Sequence, residues 1–232
     1  MAPARAVADN PYMPAPHDDA AGPAAARARR ELRRHCTGTL VFDAGVTPVR
    51  YVLEPRLRRL LLAVEPAVAS LTDATVFVPE ERDGALQVLL GLSPADPRSP
   101  ETGALTDRWG AYHAGAGSPR AWLWGAIEAT KFDAEVVAAD EIAAALPAPD
   151  ALRGIEPRLC RRLNADRAAL ARACRAIARI DPGTPVAVGV DPEGVDVRAR
   201  FGVVRLEFDE PALDEAAAMQ RLAALLARGG PA

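Results

Sequence analysis

The sequence predicts an α+β fold in two parts. The first is an antiparallel sheet or small barrel with helical insertions, and the second is a small α+β domain led by a long helix. Residues 37–137 show short apolar runs separated by turn residues, which is the pattern of an antiparallel sheet. Residues 156–180 instead carry apolar side chains at helical spacing. Because helices interrupt and follow the strands, the class is α+β rather than all-β.

The composition is that of an ordinary globular protein. The chain has 232 residues, of which 50% are hydrophobic and 25% charged, and its formal net charge is -3. This length allows two small domains. No run approaches the roughly 20 apolar residues of a membrane span, and the N-terminus lacks the apolar core of a signal peptide. We therefore expect a cytoplasmic protein with neither a membrane nor a nucleic-acid partner.

Prolines divide the N-terminal region. Residues 1–23 are rich in Ala and Pro and predict a mobile arm, because proline fixes φ and removes a backbone donor. A helix is predicted from about Ala24 to His35 and is ended by Gly38. Basic charge is almost entirely arginine, with Lys131 the sole lysine, which is typical of a GC-rich bacterial genome. The arginines of this helix are expected to form a solvated face, with phosphate binding as the alternative.

Residues 24–146, which include that helix, form the predicted barrel domain. The predicted strands are its short apolar runs, at Thr39–Phe42, Val49–Leu53, Leu60–Val64, Thr75–Val78, Leu86–Leu92 and Trp122–Ile127. Two helical insertions are predicted between them, at Pro66–Leu71 and Glu101–His113. The second insertion follows Ser99-Pro100, a typical helix start.

Residues 151–230 form the predicted second domain, after a proline-containing linker at Leu146–Asp150. A long helix over Glu156–Ile180 places its apolar residues on one stripe and is stopped by Asp181-Pro-Gly183. Three strands and a final amphipathic helix are predicted after it, at Val186–Val190, Val195–Arg198, Val203–Phe208 and Asp214–Arg228.

Neither cysteines nor carboxylates predict a metal site. Cys36, Cys160 and Cys174 are odd in number and contain no C-x-x-C pair, so we interpret them as reduced thiols. Asp191-Pro-Glu-Gly194 with Asp196 has the carboxylate density of a cation loop but lacks the ligand spacing of an EF-hand. We therefore interpret this segment as a β-turn between strands.

Two motifs mark the C-terminal part. They are Asn164-Ala-Asp-Arg167 in the predicted long helix and Gly189-Val-Asp-Pro-Glu-Gly-Val-Asp196. With Arg198 and the strand to Phe208, they resemble the domain of unknown function that trails the split barrel in haem-utilisation proteins of HugZ type. The same domain accompanies the barrel of plant proteins that bind glutamyl-tRNA reductase. The resemblance covers roughly residues 155–228.

The N-terminal part resembles a second family. Glu31-Leu-Arg-Arg-His-Cys-Thr-Gly-Thr-Leu40 is similar to the helix and first strand that open split barrels of the pyridoxamine-phosphate-oxidase superfamily. The run from Trp122 to Val137 fits the barrel strand and exit that precede the second domain there. The resemblance implies a homodimeric antiparallel split β-barrel. It also implies flavin mononucleotide (FMN) or haem at the subunit interface, sometimes with haem-degrading activity.

Two departures from the family pattern predict an altered cofactor pocket. Arg167 stands where family members usually place a helix-borne histidine. Residues 64–71 read Val-Glu-Pro-Ala-Val-Ala-Ser-Leu and are acidic and apolar, whereas the flavin-phosphate segment of the family is basic and rich in hydroxyl groups.

The second insertion supplies the first candidate site residues. Trp109, Tyr112 and His113 share one helical face and could pack on a flat ring, and His113 is the most attractive axial ligand for haem iron. The alternative is core packing, the commoner role of an aromatic stripe. His35 is expected to interact with the dipole of its helix. Lys131 ends a barrel strand and is a candidate for contact with a ligand phosphate, with a solvated side chain as the alternative.

The long helix supplies the remaining candidates, Asn164, Asp166 and Arg167. Arg167 and Asp166 fall at opposite edges of the apolar stripe. A guanidinium group favours bidentate contacts to carboxylate or phosphate, and the alternative is an arginine whose stem covers apolar surface while its head reaches water. Residues 152–180 contain eight arginines against two acidic residues, so this helix could also bind an acidic protein partner.

We therefore predict a ligand-binding protein of the haem-utilisation and flavin split-barrel type, with little or no catalysis and with FMN or haem as candidate cofactors. An FMN-dependent oxidoreductase or a haem-degrading enzyme of the same superfamily is the enzymatic alternative. A protein-interaction module that docks through its basic helix is the third.

Overall fold

The computed structural model describes residues 22–144 and 150–230. All but the last two residues of the predicted N-terminal arm lie outside these ranges, as does the predicted linker except for Asp150. The described residues form two antiparallel sheets with helices against both.

The first sheet contains seven strands. They are β1 (Thr37–Phe42), β2 (Gly45–Leu53), β3 (Arg59–Val64), β4 (Asp73–Val78), β5 (Leu86–Pro94), β6 (Ala121–Phe132) and β7 (Glu135–Ala138). Their order is β3-β2-β1-β4-β5-β6-β7, and an additional antiparallel pairing of β3 with β6 closes six of them into a barrel. The predicted antiparallel barrel within an α+β fold is therefore confirmed. β7 is only 4 residues long, so the apolar pattern does not separate it from the end of β6.

Side chains that alternate between inward and outward positions along the strands fill the barrel. Leu40, Tyr51, Leu62, Val76 and Val88 are each completely buried and belong to one core cluster. Their strand neighbours point outward, as the twofold side-chain period of a strand requires. The inner side of the barrel is therefore a packed core.

Three helices accompany the barrel, α1 (Pro23–Arg34), α2 (Pro100–Tyr112) and α3 (Ala139–Ala144). α1 buries Leu32 in the barrel core. α2 begins at Ser99, whose hydroxyl accepts a hydrogen bond from the backbone N–H of Thr102, and lies outside β2 and β3 over Val52 and Leu61. The first predicted helical insertion is shorter than expected, because only the 3₁₀ turn Pro66–Val68 forms there.

The second part has a three-stranded sheet and three helices. They are α4 (Glu156–Ala165), α5 (Arg167–Ala173), β8 (Val186–Asp191), β9 (Gly194–Ala199), β10 (Gly202–Glu207) and α6 (Glu215–Ala227), with a π-helical turn at Cys174–Ala178. The sheet order is β10-β9-β8. The three strands and α6 agree with the prediction.

The prediction of one continuous helix over Glu156–Ile180 is wrong. Asp166 adopts φ -123° and ψ 75°, which ends α4, and its side chain accepts a hydrogen bond of 2.8 Å from the N–H of Ala169 to begin α5. Aspartate favours such caps because its carboxylate satisfies an otherwise unpaired backbone donor. Leu163 and Leu170, on either side of the break, are both buried in the same core, so the apolar pattern continues across it.

The two parts share a core. Val188 of β8 and Val203 of β10 pack against a cluster that contains Trp109 and Tyr112 of α2. The second sheet therefore rests on the helix that covers the outside of the barrel.

Candidate functional site

A groove of about 530 Å³ runs along the outer surface of β1 and β2, and we call it the barrel groove. The side chains of Thr37, Thr39, Thr47 and Arg50 line it with hydroxyl groups and one guanidinium. The chain after α2, residues 116–119, forms another part of the lining. This volume lies within the range of small-molecule sites, roughly 300–1,000 Å³.

Trp109 lines the barrel groove and has an unpaired polar atom. Its side chain is buried, with 6% of the residue exposed. The ring meets Trp122 edge to face at 5.4 Å between centroids and His113 at 4.9 Å. Its indole N–H finds no acceptor among the described residues. A buried donor without an acceptor costs about 1–3 kcal/mol, so a ligand acceptor that reached this N–H would be stabilised.

A second cavity of about 430 Å³ adjoins the barrel groove, and we call it the arginine cleft. The two cavities share Thr37, Arg50 and Ala116. The cleft lies between the end of α2 and the turn from β9 to β10. Four arginines and two histidines line it, Arg34, Arg50, Arg198, Arg200, His35 and His113. Among the described residues that line it, none is acidic.

His113 is held by the backbone of the barrel. Its Nε2 lies 3.1 Å from the carbonyl oxygen of Tyr51, and because a carbonyl only accepts, Nε2 carries the proton. Burial lowers the pKa of His113; the bond to Tyr51 opposes this shift, and the charge of Arg50 adds to it. The imidazole is therefore neutral at pH 7, and only Nδ1 is free of the bond to Tyr51.

His35 follows α1 as its C-terminal cap residue. Its Nε2 lies 3.7 Å from the carboxylate of Glu31, one helical turn earlier. Burial lowers the pKa of His35, whereas Glu31 raises it. The lowered pKa means that a charged interaction with the helix dipole operates only at acidic pH.

The three candidates from the Asn164–Arg167 motif lie elsewhere. The side-chain amide of Asn164 exchanges two hydrogen bonds with the backbone of Ala187, of 2.9 and 2.8 Å, and so ties α4 to β8. Asp166 caps α5, and Arg167 is exposed. None of the three lines the barrel groove or the arginine cleft. Their role in cofactor binding stays a prediction.

Lys131 lies on the outer face of the barrel. It is exposed on β6 and is in register with Gln87 of β5 and Val136 of β7. It does not line either cavity. The structure thus brings together Trp109 and His113 alone among the predicted site residues, and the contact of Lys131 with a phosphate stays a prediction.

The basic surface of the second part is partly neutralised. Arg158 pairs with Glu215, and Arg175 lies 3.5 Å from Asp181. Among the described residues, no carboxylate pairs with Arg161, Arg162, Arg167 or Arg179. The break at Asp166 divides these arginines between α4 and the segment after it, so they do not lie on one continuous helix. Docking of a protein partner on this basic surface stays a prediction.

The Gly189–Asp196 motif forms the hairpin from β8 to β9, as the predicted turn requires. Asp191 accepts two hydrogen bonds from Arg205, of 2.6 and 2.8 Å, and pairs with Arg33 of α1. Asp196 accepts from the Tyr112 hydroxyl at 2.6 Å and from Arg205 at 3.1 Å. These five residues, which we call the hairpin cluster, join the second sheet to α1 and α2.

Gly189 is needed for this contact. A Cβ at position 189 would collide with the Tyr112 hydroxyl, which donates to Asp196. The glycine and the acid of the motif therefore serve the packing of the second sheet on α2.

The expectation that the arginines of α1 form a solvated face is wrong for two of them. Arg29 lies 2.9 Å from Glu193, and Arg33 pairs with Asp191 and, at 3.2 Å, with Glu193. Only 13% and 11% of these side chains are exposed. The cause is the β8–β9 turn, which covers this side of α1. The i, i+4 spacing of Arg29 and Arg33 shows that they share a face, but the sequence does not reveal what that face meets.

A further ion pair was not expected from the sequence. Arg108 of α2 donates to both carboxylate oxygens of Glu156 at the start of α4, at 2.6 and 2.8 Å. Burial raises the pKa of Glu156, whereas Arg108 lowers it. This contact is a second link between the barrel and the second part.

The described residues contain no helix long and apolar enough to cross a membrane. Within the same ranges, no group of His, Cys, Asp and Glu side chains is arranged to hold a metal ion. All three cysteines are free thiols. Burial raises the pKa of Cys36 to about 12 and that of Cys160 to about 12.

No protein-family profile matches the sequence, and no curated protein matches it. Solved structures do resemble the fold. A protein of unknown function from Agrobacterium tumefaciens aligns over 87% of this chain and 94% of its own, with a TM-score of 0.66 and 17% identity. This similarity shows a shared fold, that of an α+β protein built on a closed six-stranded barrel.

Two further structures have lower TM-scores. A haem-binding protein from Mycobacterium smegmatis aligns over 90% of this chain and 98% of its own, with a TM-score of 0.43 and 19% identity. A pyridoxamine 5'-phosphate oxidase-like protein from Listeria innocua aligns over 48% of this chain and 99% of its own, with a TM-score of 0.36 and 14% identity.

Proposed function

We propose that this chain is a ligand-binding protein of the split-barrel type, with little or no catalysis, and that it holds a flat aromatic cofactor in the barrel groove. The observation that carries the proposal is the buried indole N–H of Trp109, which has no acceptor among the described residues and belongs to a side chain that lines the groove. A flavin or tetrapyrrole edge carries acceptors for such a donor. The hydroxyls of Thr37 and Thr39 add further polar contacts.

The lining of the groove favours FMN over haem. Haem iron needs an axial donor such as His, Cys, Met or Tyr, and the described residues of the groove include none of these. His113 lies in the adjoining arginine cleft, and its Nε2 is engaged by Tyr51. A flavin needs no axial donor, so the residues present fit it better.

The outer face of the barrel fits a second copy of this chain. Register partners across four strands bring Val41, Thr75, Leu89 and Ala129 into one row, which Val46 continues on β2. Val46 and Leu89 are 58% and 39% exposed. Exposed apolar residues in a contiguous patch mark interaction sites.

The barrel groove opens beside this patch. Thr39 and Pro48 line the groove and are in register with each other, and Phe77 continues the same row on β4. A second barrel packed on the face would cover the groove from its open side. We therefore propose a homodimer with the ligand next to the subunit interface.

Titration of the purified protein with FMN, and separately with haem, followed by absorption spectra and flavin fluorescence, tests the proposal. FMN should bind with quenched fluorescence. Trp109→Phe removes the N–H and keeps a ring, so it should weaken FMN binding about two- to tenfold, the value of one hydrogen bond. Trp124→Phe is the matched control, because Trp124 lies against Arg59 and does not line the groove.

Three results would redirect the proposal. A shifted Soret band that disappears in His113→Ala would favour haem over FMN. Rapid reduction of the bound FMN by NADPH would favour the oxidoreductase alternative. Saturation by neither compound would overturn cofactor binding in the groove.

A further inference from the structure

We infer that the arginine cleft is a binding site for a multiply charged anion, either a phosphate group or a pair of carboxylates. The anion site does not depend on the proposed function. A second step does rest on the proposed function: we infer that the cleft receives the acidic end of the ligand whose ring lies in the barrel groove.

The charge of the cleft is the first argument. Its lining has four guanidinium groups, and no described lining residue is acidic, although the whole chain has a net charge of -3. Arg34 is partly neutralised by its ion pairs with Glu31 and Glu207. Arg50 and Arg200 form no ion pair with a described residue. Like charges gathered around one cavity repel, and a bound anion removes that repulsion.

The positioning of the groups is the second argument. Arg198 donates to the backbone carbonyl of Ala111 in the last turn of α2. The stem of Arg200 lies against Gly183, where an added Cβ would be 3.6 Å from the Cβ of Arg200. Groups whose orientation is set before binding lose less entropy when a ligand arrives.

The rim of the cleft is the third argument. Phe201 stands at the turn from β9 to β10, lines the cleft and is 60% exposed. Gly202, next to it, has φ 144°, a backbone conformation that suits glycine. An exposed aromatic ring beside several arginines is suited to a ligand that is both flat and acidic.

The charge gradient along the two cavities gives the ligand a direction. Glu65 and Glu80 line the barrel groove, whereas Arg50 lies where the groove meets the arginine cleft. An acidic group would be repelled from the glutamates and attracted to the arginines. A ligand with its ring under Trp109 would therefore extend its phosphate or carboxylates past Arg50 into the cleft.

Calorimetric titration of the full chain with inorganic pyrophosphate and with succinate tests the anion site. Charge-assisted hydrogen bonds contribute about 1.5–3 kcal/mol, so Arg200→Gln and Arg50→Gln should each weaken binding of the preferred anion at least tenfold. Arg162→Gln is the matched control, because Arg162 is exposed, has no ion pair with a described residue and lies on α4 away from the cleft. Tighter binding of pyrophosphate would indicate a phosphate ligand, and tighter binding of succinate paired carboxylates.

Two results would overturn the anion site. One is that neither anion binds at low ionic strength. The other is that Arg162→Gln weakens binding as much as Arg200→Gln, which would mean a diffuse effect of net charge. Thermal unfolding of each variant establishes that the loss is not caused by misfolding.

Riboflavin separates the cleft from the proposed function, because it has the flavin ring without the phosphate. If FMN binds at least tenfold more tightly than riboflavin and Arg200→Gln removes the difference, both inferences stand. If the two flavins bind equally and pyrophosphate does not bind, the inference of an anion site in the cleft is wrong and the proposal of flavin binding in the groove stands. If pyrophosphate binds and neither flavin does, the cleft stands and the proposed function fails.

Discussion

At the scale of single residues, Asp191 links the second sheet to α1. It pairs with Arg205, whose side chain is 3% exposed, and with Arg33 of α1. Burial raises the pKa of Asp191, but the charges of Arg205 and Arg33 outweigh it and hold the pKa well below its ordinary value of 3.8. The carboxylate is therefore ionised at neutral pH and pairs with two arginines at once.

Asp191→Asn should reduce the free energy of unfolding by about 3 kcal/mol at pH 7, because the buried arginines Arg33 and Arg205 lose one of the two carboxylates that each of them pairs with. Urea denaturation measures the change. Asp140→Asn is the control, since Asp140 is 86% exposed and its pair with Arg58 should contribute less than about 1 kcal/mol. Equal effects of the two substitutions would show that the hairpin cluster has no special role in stability.

The same pair predicts a pH dependence. A carboxyl group with a lowered pKa in the folded protein stabilises it above the pKa of the unfolded chain, near 3.9, and this contribution is lost as the pH falls toward the folded value. The difference in stability between the wild type and Asp191→Asn should be constant from pH 5 to pH 7 and should shrink below about pH 4. A difference that grows on acidification would contradict the lowered pKa.

At the scale of elements, the break between α4 and α5 shows why periodicity was misleading. Apolar residues continue at helical spacing across Asp166 because both helices contribute to the same core, α4 against β8 and α5 against α6. What interrupts the helix is the competition between the carboxylate of Asp166 and the backbone for the N–H of Ala169. Aspartate within a periodic stretch is compatible with either outcome, so only the packed arrangement decides.

Asp166→Ala distinguishes the two outcomes. Loss of the cap should destabilise the protein by about 1 kcal/mol, and Asp214→Ala, which removes the cap of α6 to Ala217, should have a similar effect. A continuous helix would instead be stabilised by alanine, a better helix former than aspartate. Chemical denaturation of both variants gives the answer, and Asp166→Asn should retain most of the stability because asparagine also caps.

At the scale of the whole molecule, the second part is an extension of the barrel's outer layer. The hairpin cluster and the Arg108–Glu156 pair connect the second sheet and α4 to α1 and α2. The arginine cleft lies at this junction, so its lining comes from both parts. The outer face of the barrel around Leu89 carries none of these contacts and presents exposed apolar residues.

Leu89→Arg should shift the proposed homodimer toward the monomer, because it would place a charge in the row of residues that Leu89 forms with Val41 and Thr75 on the outer face of the barrel. Sedimentation velocity over a concentration series measures the shift. Leu213→Arg is the matched control, since Leu213 is also exposed, at 56%, but lies before α6 and outside the row. A wild-type protein that is monomeric at high concentration would refute the dimer.

The sequence by itself determined the α+β class, the antiparallel barrel and the strands of the second sheet. Those features depend on the local alternation of apolar residues, which each segment carries in its own sequence. It also pointed to the Gly189–Asp196 motif and to Trp109 and His113, although not to their contacts.

Only the tertiary structure decided the rest. The partners of Arg33 and Arg108 lie 158 and 48 positions away in the chain, at Asp191 and Glu156, and no local pattern encodes such a pairing. The arginine cleft likewise combines β2, the end of α2 and the β9–β10 turn. Residues so distant become one site because closure of the barrel and the packing of the second sheet on α2 bring them together, and this depends on the whole fold.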